Sequence, residues 1–175
     1  ESIPSANTLS CPTRMVSDCT GGLWVCDTNN NRVLHYPSGK NNTADFVIGQ
    51  SDFVSNSPSA SYTGLDHPKG IAINLDCTSL WIADRGNKRV LQYDLPLMQS
   101  AGQIAASVLY DIESLQDING TNANNTNTNL EGNIYPEDLS YDPTSGYLWV
   151  VDSENNRVFG GVVFTGNIMC DLLGQ

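Results

Sequence analysis

Few side chains in this 175-residue chain could do chemistry, and their spacing decides which chemistry is open to them. The two histidines, His35 and His67, are the strongest metal ligands, but a catalytic zinc takes three protein ligands and an open position. Two isolated histidines do not supply that. Asp18, Asp66, Asp76 and Asp142 could offer oxygens to calcium at loop ends, yet no contiguous calcium-loop spacing surrounds them. Asp18, Asp76 and Asp142 each fall four to six residues before a Leu-Trp pair, so they read as recurring turn residues. No Gly-X-Ser-X-Gly elbow is present for nucleophilic catalysis. Gly21-Gly22 and Gly160-Gly161 read as turn or strand glycines rather than phosphate loops. That leaves three carboxylates, Asp27, Asp84 and Asp152, each followed three residues on by Asn30, Asn87 or Asn155 and five residues on by Arg32, Arg89 or Arg157. An active site needs different groups converging once. Three equivalent copies assign these residues to structure, with Asp accepting backbone N–H bonds before a tight turn and Arg pairing across a hairpin or with the next copy.

The elements that must position them follow from the same repetition. LWVCDTNNNRV from Leu23, LWIADRGNKRV from Leu80 and LWVVDSENNRV from Leu148 are one sentence written three times. The run Leu23-Trp24-Val25-Cys26 is short, β-branched and aromatic, which suits a buried strand. Thr28-Asn29-Asn30-Asn31, like Arg85-Gly86-Asn87-Lys88, then supplies turn residues, where a Gly or Asn at positive φ lets the hairpin close. Upstream, Cys11-Pro12, His67-Pro68 and Tyr135-Pro136 place a proline where a strand starts. Downstream, residues 45–50, 106–110 and 170–175 read as a fourth, outer strand. Leu23 and Leu80 are 57 residues apart and Leu80 and Leu148 are 68 apart, so the Asn/Thr tract 119–129 is expected to be an inserted surface loop. Trp24, Trp81 and Trp149 recur at one position and are expected to pack between units. The stretch 95–105 offers at most a turn of helix, weakened by Gly102.

The signature Leu-Trp-X-X-Asp-X-X-Asn-X-Arg-Val, repeated three times, resembles the NHL repeat, the blade unit of a class of β-propellers. The resemblance implies an all-β fold, a single domain over residues 1–175, and three four-stranded blades near 9–50, 65–110 and 131–175. Propellers close with four to eight blades. Three blades are therefore expected to be a partial propeller: a fragment of a longer chain, which is favoured, or a half-ring completed by another copy. Some NHL-type propellers are similar to zinc lyases that need several histidines around the central channel. On that pattern His67, before the inner strand, would lie near a channel mouth and His35, after the third strand, away from the axis. The required histidine set is missing.

Charge and cysteine bound the partners. A net charge of −11, with only eight Lys and Arg, argues against binding a polyanion through its phosphates. No apolar stretch is long enough to cross a bilayer. Five cysteines suggest an oxidising compartment, with Cys11, Cys19, Cys77 and Cys170 the candidates for disulfides and Cys26 a small buried core residue. Sequons at Asn41, Asn119 and Asn124 point the same way. The expectation is a secreted or cell-surface module, non-catalytic, binding protein or itself through open blade edges, without nucleic acid or membrane insertion. No cofactor is expected, calcium being the one ion that loop-end oxygens could take. A lyase or lactonase whose metal site is completed elsewhere is the alternative.

Overall fold

A computed structural model describes residues 3–39, 42–95, 107–110, 134–164 and 167–173. It shows three four-stranded antiparallel sheets, each formed by four consecutive strands. The first holds β1 (Pro12–Ser17), β2 (Leu23–Asp27), β3 (Arg32–Tyr36) and β4 (Phe46–Ile48). The second holds β5 (Pro68–Ile73), β6 (Ser79–Asp84), β7 (Arg89–Asp94) and β8 (Ser107–Tyr110), and the third β9 (Pro136–Asp142), β10 (Tyr147–Asp152), β11 (Arg157–Phe164) and β12 (Asn167–Leu173). This is the blade architecture of a partial β-propeller. The sequons at Asn41, Asn119 and Asn124, the tract 119–129 and most of the stretch 95–105 lie outside the described residues.

Each sheet begins on its proline, because a residue without an N–H can open an inner strand but not sit within a ladder. Each repeated motif is a hairpin in the same register, with Asp27 opposite Arg32, Asp84 opposite Arg89 and Asp152 opposite Arg157. Left-handed residues close these turns: Asn31 at φ 52°, Asn156 at φ 52° and, in the second copy, Lys88 at φ 58°. The expected Gly or Asn is thus replaced there by Lys88. Gly86 serves a close approach instead, since a Cβ on it would lie 2.4 Å from Asp66 Cγ.

Strand alternation gives every sheet two faces, and both interior ones are used. The Trp-bearing face of the first sheet (Trp24, Cys26, Val33) packs on Ile71, Leu80, Ile82, Leu91 and Tyr93 of the second. The Trp-bearing face of the second sheet (Ala72, Trp81, Ala83, Val90) packs on Leu139, Leu148, Val150 and Phe159 of the third. Trp81 stacks on Tyr141 with ring centroids 5.3 Å apart. The inner strands run side by side, close enough that a Cβ on Gly70 would lie 2.6 Å from the Cα of Asp138. An ion-pair chain crosses the same boundary, Lys69 to Glu137 to Arg85 to Glu154.

One disulfide, Cys19–Cys77, joins the β1–β2 turn to the β5–β6 turn with Cα atoms 6.0 Å apart. Cys26 is a buried free thiol and Cys11 an exposed one. Cys170 sits opposite Gly161 in the β11–β12 register, and its side chain lies outside what is described.

Three expectations from the sequence shift. The carboxamide of Asn74, not the carboxylate of Asp76, occupies the turn position of Asp18: Asn74 Oδ1 accepts from the N–H groups of Thr78 and Ser79 as Asp18 Oδ1 does from those of Thr20 and Gly22. Asp76 only accepts a bond from the Thr78 hydroxyl. His35 lies within β3 rather than after it. Tyr135 matches Ser10 and Asp66, not Cys11 and His67, because those three N–H groups bind the motif aspartates. Cys11 and His67 are extra residues in left-handed backbone, at φ 52° and 49°, that the third copy lacks.

Candidate functional site

The repeated polar residues form a clasp inside each sheet. Asp27 Oδ2 accepts from Arg32 Nε at 2.7 Å and from Asn30 Nδ2 at 2.9 Å, while Oδ1 accepts from the Ser10 N–H. Asp84 and Asp152 repeat this with Arg89 and Asn87, and with Arg157 and Asn155, each Nε–Oδ2 distance being 2.8 Å. All three carboxylates are fully buried. The rest of the guanidinium reaches back to the segment that leads into the same sheet. Arg32 Nη2 donates to the carbonyls of Ser5 and Thr8, and Arg89 Nη2 to those of Ser61 and Gly64. In both cases the acceptors lie seven and four residues before the strand-opening proline. A planar, always-charged fork suits this task, since it closes the hairpin and ties down the entry segment at once. Burial pushes Asp84 up to about 6, against the bonds from Asn87, the Asp66 N–H and Arg89 that pull it down.

The turn at the far side of the first two clasps fastens the next blade. Asn31 Oδ1 accepts from the His67 N–H, and its Nδ2 donates to the Asn56 carbonyl. The equivalent Lys88 places its ammonium 4.9 Å from the centre of the Tyr135 ring, a cation–π contact. Nothing in the local signature of a turn distinguishes an Asn that binds the following repeat from one that caps its own hairpin.

The histidines take separate places. His35 is held between two carboxylates, Nδ1 to Asp45 Oδ1 at 2.6 Å and Nε2 to Asp18 Oδ2 at 2.8 Å, with its ring 4.5 Å from that of Trp24. A carboxylate accepts, so whichever ring nitrogen carries a hydrogen has a partner. Burial raises Asp18, but the bonds from His35, Thr20 and Gly22 outweigh it and hold the carboxyl at about 2. His67 is more exposed and pairs through Nδ1 with Asp66. The two histidines do not converge. Among the described residues, no three His, Cys, Asp or Glu side chains come together as a metal site.

A large concave surface that the repeats build together lies along the inner strands. It is a groove of about 660 Å³ bordered by Arg14, Met15, Val16, Ile73, Ser140 and Tyr141. Its charged lining residue, Arg14, is partly exposed and pairs through Nη2 with Asp138 Oδ2 at 3.1 Å. Apolar walls with one ion pair can hold a ligand or a peptide side chain, and this groove is the candidate binding site. The sequence marked Pro12 and the run Ile71-Ala72-Ile73 as inner-strand positions, but none of the lining residues as a binding residue. The signal available was the inner-strand position itself, which puts alternate residues of β1, β5 and β9 on the axis.

Comparison with known proteins agrees with this architecture. Residues 9–36 match the NHL repeat model. No curated protein sequence matches the chain. Among solved structures, Pseudomonas aeruginosa periplasmic gluconolactonase is 12% identical, with 93% of this chain and 39% of that chain covered at a TM-score of 0.55. Virginiamycin B lyase from Staphylococcus aureus is 13% identical, with 98% and 44% covered at a TM-score of 0.56. The β-propeller domain of Cps50 (Swd1) from Myceliophteria thermophila is 10% identical, with 93% and 40% covered at 0.56. At these identities the likeness is one of fold. The chain spans about two fifths of the length of these structures.

Proposed function

We propose that this array of NHL-like propeller blades is an extracellular protein-interaction module rather than an enzyme in its own right. The observation that carries the reading is the clasp: Asp27, Asp84 and Asp152, with their arginines, are spent inside the sheets that they hold together. A set of groups so buried, each arginine Nε bound to its aspartate, positions a scaffold and meets no substrate. The Cys19–Cys77 disulfide supports an oxidising compartment, and the sequons at Asn41, Asn119 and Asn124 support a glycosylated surface. The strongly acidic balance favours protein over nucleic-acid partners.

A second reading rests on the inner-strand groove and on the lactonase and lyase among the similar structures. In that reading further blades complete a metal-dependent site at the axis. The deciding experiment is metal analysis of the purified chain together with an assay for lactone opening. The interaction reading expects neither stoichiometric metal nor turnover. One bound zinc or calcium per chain, with activity lost when Arg14 or Tyr141 is replaced, would overturn it.

A further inference from the structure

The clasps carry the same residues in every copy, but the turns at the other end of the inner strands do not. β1, β5 and β9 reach that end in one register, with Ser17 opposite Leu23, Ile73 opposite Leu80 and Tyr141 opposite Leu148. Asp18, Asn74 and Asp142 follow as the anchors of the three turns, each accepting main-chain N–H bonds on its side chain. The next position is Cys19 in the first copy, Leu75 in the second and Pro143 in the third. These three residues line one groove of about 300 Å³, which shares Val16, Ile73 and Tyr141 with the larger groove along the inner strands. A residue repeated in every copy serves the scaffold, whereas a position that varies is free to serve a partner.

Leu75 is 76% exposed, although it belongs to the middle sheet, whose neighbouring turns on both sides are in place. A lone exposed leucine is ordinary. This one stands on a turn whose backbone is fixed: Asn74 Oδ1 accepts from the N–H groups of Thr78 and Ser79, the Asn74 carbonyl accepts from that of Cys77, and Cys77 is bonded to Cys19. Beside it in the groove lie Ile73, Tyr141, Pro143 and the disulfide, so the apolar surface runs across three blades. A contact surface held in place beforehand loses little conformational entropy when something covers it.

The charge around the groove is of one sign. Asp18, Asp45, Asp76, Asp94 and Asp142 all lie at this end of the blades, and among the described residues no Lys or Arg does. Lys40 lies outside the described residues. Lys69, Arg85, Lys88 and the three clasp arginines are at the opposite end, with Arg14 between. Bonds from the Ser145 hydroxyl and the Thr144 N–H hold the Asp142 carboxyl below its usual range, so it is charged at neutral pH. We propose that this groove docks a basic segment of a partner protein. A bulky apolar side chain of that segment packs on Leu75, Pro143 and the Cys19–Cys77 disulfide, and the charge of Asp76, Asp94 and Asp142 draws the lysines or arginines on either side of it. A second copy of this chain would bring the same acidic end and a net charge of −11, and is disfavoured as the occupant. The proposal rests on the interaction role above and gives the partner its chemistry.

The test is selection of the purified chain against a displayed library of random twelve-residue peptides, followed by fluorescence anisotropy with the enriched peptides. The expected sequences place a leucine, isoleucine, phenylalanine or tryptophan among lysines and arginines. Leu75→Ser, at a position already exposed, leaves the fold unchanged and weakens their binding at least about tenfold. Asp76→Asn with Asp94→Asn weakens it at least about fivefold at 50 mM NaCl. Asp52→Asn with Glu154→Gln removes the same charge from the opposite end and changes it less than about twofold, because screening limits the reach of distant charges. No enrichment, enrichment of neutral or acidic sequences, or binding indifferent to Leu75→Ser overturns the proposal. So does displacement of the peptides by equimolar spermine, which would make a small polycation the occupant. Binding lost with Arg14→Gln but not with Leu75→Ser places the partner in the larger groove, overturning this site while the interaction role stands. Stoichiometric metal with lactone turnover fails that role itself.

Discussion

Removing the Cys19–Cys77 bond is the sharpest quantitative probe of how the first two blades are held together. Both cysteines sit in turns at the blade rim, away from the Trp24, Leu80, Ile82 and Tyr93 core, so replacing them by serine leaves the core intact. The cost falls on the unfolded chain, which gains the freedom of a loop closed across 58 residues. The loop-entropy relation puts that gain at about 4 kcal/mol at 25 °C. For a domain of this size, each kcal/mol moves Tm by roughly 2–4 °C, so a fall of roughly 10–15 °C is expected. The assay is urea denaturation of Cys19→Ser, Cys77→Ser and the double variant, all with Cys11→Ser so that the exposed thiol cannot exchange. Either single variant should lose as much as the double, because one bond is lost in each case. The urea m-value should rise, since an uncross-linked unfolded state exposes more surface. A loss below about 1 kcal/mol, additive single losses, or an unchanged m-value would refute an unfolded-state origin.

Other outcomes can be checked in the same way. Arg32→Met leaves the buried Asp27 without its cation and two entry-segment carbonyls without a donor, and is expected to cost about 3–5 kcal/mol in urea denaturation. Gly70→Ala forces a Cβ against the backbone of Asp138 and Leu139 and should cost about 1–3 kcal/mol by the same measurement. Asp18 is held at about 2 against an ordinary 3.8, so its stabilisation is complete above pH 4 and lost as pH falls through 2. Asp18→Asn should flatten that acid limb. Asp84 is raised to about 6, so the stability linked to its proton is present below about pH 4 and lost as pH rises through 6. Together they predict a higher urea midpoint at pH 4.5 than at pH 7, and a lower midpoint at pH 4.5 would refute the Asp84 assignment.

Much of the scaffold was legible before any coordinates. The hairpins, the proline-opened inner strands and the four strands per repeat are local patterns, and a strand's period of two and a proline's missing N–H act over a few residues. The Asp-to-Arg spacing of five survives because the two residues are directly opposite across one turn. The acceptors of the guanidinium were not legible. They are main-chain carbonyls 21 to 29 residues away, and a carbonyl has no side-chain signature. The match of Asn74 to Asp18 was missed for a related reason, since carboxylate and carboxamide oxygens serve such a turn equally well.

The sequence by itself determined that this chain repeats one four-stranded unit three times and that its commonest polar motif belongs to the scaffold. Repetition is enough for that, because a group present at every equivalent position is tied to what the positions share. Only the tertiary structure decided which cysteines meet, that His35 is wedged between Asp18 and Asp45, and which faces are covered. Those depend on the twist and stacking of whole sheets, which bring together residues with no fixed spacing. Met15 and Ile71 occupy the same place in the repeat, yet one is bare and the other buried. The difference lies in whether another blade stands in front of them.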